Sequence, residues 1–288
     1  MAQRPAAQRP ADIAMPYFDA LLEVLNAGGH DDVQAAFGRH VHWGYWSKGT
    51  AADGSVADFA AAAERLCQLV YQSAGVQAGD RLLDVGCGFG GTIASLNERF
   101  QDLDMTGLNI DARQLERARR AVTPLNSNQI NFVEGNACEL PFEDDSFDVV
   151  LAVECIFHFP SREQFFHEVQ RVLKPGGRLA LSDFVSVPAF KLAQKILPSS
   201  SNSLISGTYG RVDSEFTVKD YRTLASATGL RVTVQADITK QTLPTYPVVR
   251  QVFEQMEFPQ AVYDTTTAEK LSQLGLLRYV IMGFEQAA

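Results

Sequence analysis

The sequence holds no run of five or six Lys or Arg and no apolar stretch near the ~20 residues that a membrane span requires. Its four cysteines, Cys67, Cys87, Cys138 and Cys155, form no CxxC pair, and no His stands at zinc-finger spacing from them. The N-terminus lacks the apolar core of a secretory signal. These absences argue against a nucleic-acid partner, a membrane partner and a disulfide or zinc scaffold. They suit reduced thiols in a cytoplasmic protein. The formal net charge of −9 and pI of about 5.1 point the same way, because an acidic surface repels phosphate backbones.

What is present is an ordinary globular composition, 288 residues with 46% hydrophobic and 20% charged. That suffices for one α/β domain needing no covalent staple. A doubled Ala-Gln-Arg-Pro, at 2–5 and 7–10, reads as a disordered tail over 1–15, with a short transit peptide as the alternative. The domain then spans 16–288. Apolar spacing predicts N-terminal helices from Pro16 to Gly28 and from Ser55 to Ser73, with the aromatic segment Arg39–Trp46 between them.

From Arg81 the rhythm becomes β-α-β-α. Strands are predicted at 81–85, 103–109, 129–134, 147–153 and 178–185, and helices at 91–100, 111–122 and 162–173. Short connections between them define a doubly wound, mostly parallel sheet. The rest is less regular. Helices are expected at 187–197, 218–228, 243–258 and 268–275, and strands at 231–237 and 277–284, enough to complete seven strands with an antiparallel edge. Segments near 186–216 and 241–264 read as a helical cap, with a Ser/Gly-rich hinge at 199–210.

The strand Leu82-Leu83-Asp84-Val85 runs into Gly86-Cys87-Gly88-Phe89-Gly90-Gly91 and a helix. Glycines permit tight turning, and the helix N-terminus offers free N–H groups to an anion. Gly86, Gly88 and Gly91 also satisfy GxGxxG, so an NAD-type oxidoreductase competes. Two features speak against it. Asp84 at the strand end would repel a pyrophosphate but suits an ammonium. The acid that binds ribose, due about 20 residues on, is replaced by Asn109.

Further segments follow in order: Gly135-Asn136-Ala137, Leu140-Pro141-Phe142, Ser146-Phe147-Asp148, Ala152-Val153-Glu154 running to His158, and Leu173-Lys174-Pro175-Gly176-Gly177. They have no role in a dinucleotide site. With Gly44-Tyr45-Trp46 ahead of the glycine turn, the series resembles the class I S-adenosylmethionine-dependent small-molecule methyltransferases. Within them it is most similar to the ubiquinone/tocopherol/sterol methyltransferase-like group and its rebeccamycin-type sugar O-methyltransferases. The likeness covers about 37–185 and implies a Rossmann-like seven-stranded fold, S-adenosyl-L-methionine as cofactor and S-adenosyl-L-homocysteine as product.

The resemblance also implies roles for matching residues. Gly86, Cys87, Gly88 and Gly90 would wrap the methionine part, with Asp84 near its ammonium. Asn109, Ile110 and Gln114 would lie by ribose and adenine, and Asn136 and Ala137 at the adenine edge. Ala152 and Val153 would pass the sulfonium, and Tyr45 and Trp46 would close the pocket. Asn109 and Asn136 depart from the acids common at those places; an amide still hydrogen-bonds there, without charge assistance.

The resemblance implies acid–base roles for His158 and Asp183, although Phe157 stands where the resembling enzymes carry a second histidine. A histidine there suits deprotonation of a hydroxyl near neutral pH, against the plainer reading of a packed or bracing ring. Asp183 ends a strand where ligands gather in open sheets, against a plain capping role. His40 and His42 want a third ligand for a metal, so no metal is expected. Trp43, Tyr45 and Trp46 read as a pocket wall or as core. The expected partner is a small, largely apolar molecule, O-methylated by in-line transfer. C-methylation, N-methylation and binding of the cofactor without transfer are the alternatives.

Overall fold

The computed structural model describes residues 15–48, 50–188, 206–209, 213 and 215–287. The expected tail (1–15, apart from Met15), nearly all of the helix at 187–197, and the hinge at 199–210 (apart from 206–209) lie outside them.

Before the sheet come α1 (Pro16–Ala27), α2 (Asp31–Phe37) and α3 (Val56–Ser73). Pro16 opens α1, where a missing N–H costs nothing. The Ser55 side chain accepts from the Asp58 N–H and caps α3. The alternating region follows as β1 (Arg81–Val85), α4 (Gly91–Arg99), β2 (Asp104–Asn109), α5 (Ala112–Ala121), β3 (Gln129–Glu134), β4 (Phe147–Val153), α6 (Arg162–Val172) and β5 (Leu173–Ser186). The chain ends in α7 (Ser206–Tyr209), α8 (Val218–Ala227), β6 (Leu230–Asp237), α9 (Thr239–Thr242), α10 (Thr245–Gln255), α11 (Pro259–Gln273) and β7 (Leu277–Gln286).

The strands form one seven-stranded sheet in the order β3-β2-β1-β4-β5-β7-β6. The first five run parallel, while β7 pairs antiparallel with both β5 and β6. Both faces are covered, as nearly continuous apolar strands require. Leu82, Val149 and Ala180 face α3, α4 and α5; Leu83, Val150 and Leu181 face α6 and α8. The winding reverses between β1 and β4, which opens a crevice beyond their carboxyl ends. A separate cluster, with Phe18 and Leu22 of α1, Phe37 of α2 and Val252 and Phe253 of α10, roofs those ends.

Three elements differ from expectation. Helix α2 has only seven residues, too few for a legible period. Strand β5 begins at Leu173, and Lys174–Gly177 loops out between the Phe147–Leu173 and Val149–Arg178 pairings. Helix α11 starts at Pro259, nine positions before the predicted Ala268, because proline at the first turn starts a helix as readily as it ends one.

Candidate functional site

The glycine turn stands at the mouth of the crevice. Gly86 (φ +68°) presses against Cys155, whose Cβ would lie 2.6 Å from a Cβ added there. Gly88 (φ +54°) faces open space, its nearest neighbour being Gln114 Oε1 at 4.0 Å. Gly90 (φ +80°) points the other way, towards Ala118, Phe132 and Val122. Its lack of a side chain serves helix packing rather than a ligand.

A cavity of about 920 Å3, open at its mouth, spreads over this turn. Of the residues singled out in the sequence, Asp84, Gly86, Cys87, Gly88, Asn109, Ile110, Gln114, Asn136, Ala137, Val153 and His158 line it. Tyr45, Gly90, Ala152 and Asp183 do not. The Tyr45 N–H donates to Ala62 O, and its own carbonyl accepts from Arg65 Nε. Trp46 is buried with its indole N–H on Asp58. Trp46 is core, Tyr45 packs half-buried against the core, and Arg39–His42 forms the wall instead, with Tyr17 and Phe18 of α1. Ala152 alternates with Val153 along β4 and so faces the α6 side.

Asp183 is corrected in the same way. It is fully buried, and its Oδ2 accepts from Arg162 Nη2 at 2.9 Å and from the Tyr221 hydroxyl at 2.5 Å. Burial raises its pKa, and Arg162 partly offsets that. Its neighbours Ser182 and Phe184 point to the opposite face, where Phe184 lines a second cavity.

Two buried groups fit a bound cofactor. Both oxygens of Asp84 lack a hydrogen-bond partner, and burial lifts this carboxyl to about 8. An unpaired acid is costly at such a place, and an ammonium removes that cost. Gln114 accepts from Asn109 Nδ2 at 3.1 Å while its own Nε2 is unpaired, a donor left for a hydroxyl. Asn136 differs from expectation in detail, since its Oδ1 already accepts from the Cys138 N–H at 2.9 Å.

The second cavity, of about 850 Å3, is lined mostly by apolar and aromatic side chains, including Phe37, Trp43, Phe157, Phe184, Tyr209 and Phe253. Tyr17, Val41, His42 and Glu154 line both cavities and form the wall between them. Glu154 holds a left-handed backbone (φ +50°). Its Oε2 accepts from the Trp43 N–H at 2.9 Å and from the Tyr279 hydroxyl. Burial pushes this carboxyl up to about 8 against those two bonds.

His42 bonds Trp43 O at 2.9 Å and His40 at 3.1 Å, and His40 reaches Glu64 at 2.8 Å. Burial lowers both imidazoles, His42 to about 3. Burial would raise Glu64, but hydrogen bonds from His40, Ser95 and Gln68 hold it below the usual range. Among the described residues no group of three or more His, Cys, Asp or Glu is placed to hold a metal. No helix among them is long and apolar enough to cross a membrane. Sequence reasoning missed Tyr17 and Phe18, because only the docking of α1 over the strand ends brings them to the cavity.

A switch-point crevice, a glycine turn and an orphaned strand-end carboxylate define an S-adenosylmethionine-dependent methyltransferase of class I. Residues 83–181 match the methyltransferase domain family. Methyltransferase GfsG of Streptomyces halstedii is 34% identical over 241 residues, 83% of this chain and 80% of that protein. The 27-O-demethylrifamycin SV methyltransferase of Amycolatopsis mediterranei is 38% identical over 181 residues, 62% of this chain and 61% of that one. In three dimensions the chain is similar to the [4+2]-cyclase SpnF, with TM-score 0.73, 20% identity and 98% of each chain covered, a likeness of fold alone. The chain belongs to the class I small-molecule methyltransferases, and S-adenosyl-L-methionine is its cofactor.

Proposed function

We propose that the enzyme methylates a hydroxyl of an uncharged, largely apolar natural product or glycoside in the cytoplasm. The observation that carries this reading is the aromatic second cavity sharing a wall with the cofactor cavity. Apolar walls with few polar groups suit such an acceptor. No Lys or Arg stands among the described residues lining it, and its acids are Glu154 and Asp213, the latter paired with Arg162. A phosphorylated acceptor would meet no counter-charge from the described lining residues. The relative whose name gives 27-O-demethylrifamycin SV as its methyl acceptor supports oxygen as the site of methylation.

The bound cofactor supplies a methyl group made electrophilic by its sulfonium. Asp84 would hold its ammonium, Gln114 and Asn109 its ribose, and Ile110, Asn136 and Ala137 would flank its adenine. The remaining tasks are to hold the acceptor oxygen in line, exclude water and remove one proton. Val41 and the aromatic rings shape and dry the cavity. His158, which lines the cofactor cavity, takes the proton. C-methylation is the second reading, favoured by the same rings, which stabilise a developing cation. Sterol 24-C-methyltransferases stand among the relatives beside O-methyltransferases.

Tritium transfer from methyl-labelled cofactor to a panel of neutral hydroxylated polyketides and unsaturated terpenoids tests this. The expected product is an O-methyl ether, with turnover cut about 10²–10⁴-fold by His158→Ala and cofactor affinity kept. Label on carbon would favour the second reading. Binding without transfer to any compound would make the chain a cofactor-binding protein only.

A further inference from the structure

We propose that Tyr17 carries the acceptor's proton to His158, and that α1 thereby supplies a catalytic residue. The inference rests on the hydroxyl-methylating reading above. It starts from a mismatch of place. His158 lines the cofactor cavity but not the aromatic one, whereas Tyr17 lines both. The Tyr17 hydroxyl lies 3.3 Å from His158 Nε2, and the rings are nearly parallel, 18° apart at a centroid distance of 6.0 Å. Tyr17 therefore stands in the wall between the cavity that suits the acceptor and the base, with its hydroxyl against that base.

Tyr17 is held in that position from several directions. It is the second residue of α1, directly after Pro16, whose fixed φ starts the helix there. Its ring packs on Phe18 and, at 5.3 Å, on Tyr209. Phe18 meets Phe89 of the glycine turn edge-on, so α1 is registered against the cofactor cavity itself.

The proton count closes. Tyr17 donates to Nε2, which requires His158 to begin neutral with its proton on Nδ1. As the acceptor oxygen becomes an ether, its proton passes to Tyr17 Oη while the phenolic proton passes to Nε2. Tyr17 ends as it began, and His158 ends as an imidazolium. Burial, with Glu154, Tyr209 and Cys155 facing the ring, holds the Tyr17 pKa well above its usual value. A free phenolate is thus disfavoured, so Tyr17 passes one proton on as it takes the other.

Tyr17→Phe keeps the ring and removes only the hydroxyl. One measurement needs no turnover: titration of the histidines by 15N NMR in the S-adenosylhomocysteine complex. A hydrogen bond donated to Nε2 favours neutral His158, so Tyr17→Phe raises its titration midpoint by about 0.5–1 pH unit, the equivalent of one hydrogen bond. The other uses the neutral bicyclic alcohol 2-decalol as probe acceptor. Turnover is expected to fall about 10²-fold in Tyr17→Phe and similarly in His158→Gln, with no further loss in the double variant. An unmoved midpoint, unchanged turnover or multiplying losses would overturn the relay while leaving the proposed function standing. Failure of the wild-type protein to bind S-adenosylhomocysteine would overturn both.

Discussion

The backbone N–H of Trp43 donates to Glu154 Oε2 at 2.9 Å across 111 positions of sequence. This bond fastens the aromatic segment to the end of β4, and the Tyr279 hydroxyl of β7 shares the same oxygen. One carboxyl thus ties three parts of the chain at the wall between the cavities. Glu154→Ala strands the buried Trp43 N–H and leaves the Tyr279 hydroxyl only its bond to Ser182 Oγ at 3.2 Å. It should lower unfolding free energy in urea by about 1–3 kcal/mol, with Glu154→Gln closer to wild type. Equal stability of all three proteins would show that water replaces the carboxyl without loss.

Asp84 and Glu154 set a pH dependence. Each is raised to about 8 by burial, from ordinary values of 3.8 and 4.5. The folded chain therefore holds protons that the unfolded chain has lost, and their contribution is complete below about pH 4 and fades as pH rises towards 8. Melting temperature of the free protein should fall across that window. S-adenosylhomocysteine should offset part of the fall, because its ammonium favours ionised Asp84, and calorimetry near pH 7 in buffers of different ionisation heat should show proton release. Proton uptake would contradict the Asp84–ammonium pairing.

Removing the carboxylate separates binding from folding. Asp84→Asn should weaken S-adenosylhomocysteine by about 10–100-fold, the worth of a charge-assisted hydrogen bond, while the free protein at pH 8 melts no lower than wild type. A large drop in melting temperature with unchanged affinity would assign Asp84 to the core.

The glycines of the turn should differ in kind. Gly88→Val forces φ +54° on a branched residue and fills open cavity, so S-adenosylhomocysteine binding should vanish with only a modest loss of stability. Gly90→Val, at φ +80° against Ala118, Phe132 and Val122, should chiefly unfold the protein. Equal loss of binding and stability in the two variants would mean that the turn acts as one strained unit.

Asp183→Ala leaves Arg162 buried, with side-chain exposure of only 2%, and without its buried partner. The expected cost is about 3–5 kcal/mol of stability, with kcat of the folded fraction little changed. A 10²-fold loss of kcat at unchanged stability would restore Asp183 to the chemistry.

Much of this was legible in the chain. Strand β1 and the turn after it follow from Leu82–Val85 and the glycines, because β-alternation, tight turning and a following helix are local properties. The lining of the cofactor cavity was readable for the same reason: Asp84, Asn109 and Val153 stand at strand ends, with Gly88 in the turn after β1, and the parallel sheet brings those ends together. The acceptor side was less legible. Strand alternation says that Ser182 and Asp183 face opposite ways, but not which face holds the cavity and which holds Arg162. Tyr45 and Trp46 carry the same aromatic signal as Trp43, yet contacts with α3 hold them away from both cavities. Only the docking of α1, through contacts between residues far apart in sequence, sets Tyr17 beside His158. Local geometry was written in residue order, while the wall between the cavities was decided by which helix faces pack together over the strand ends.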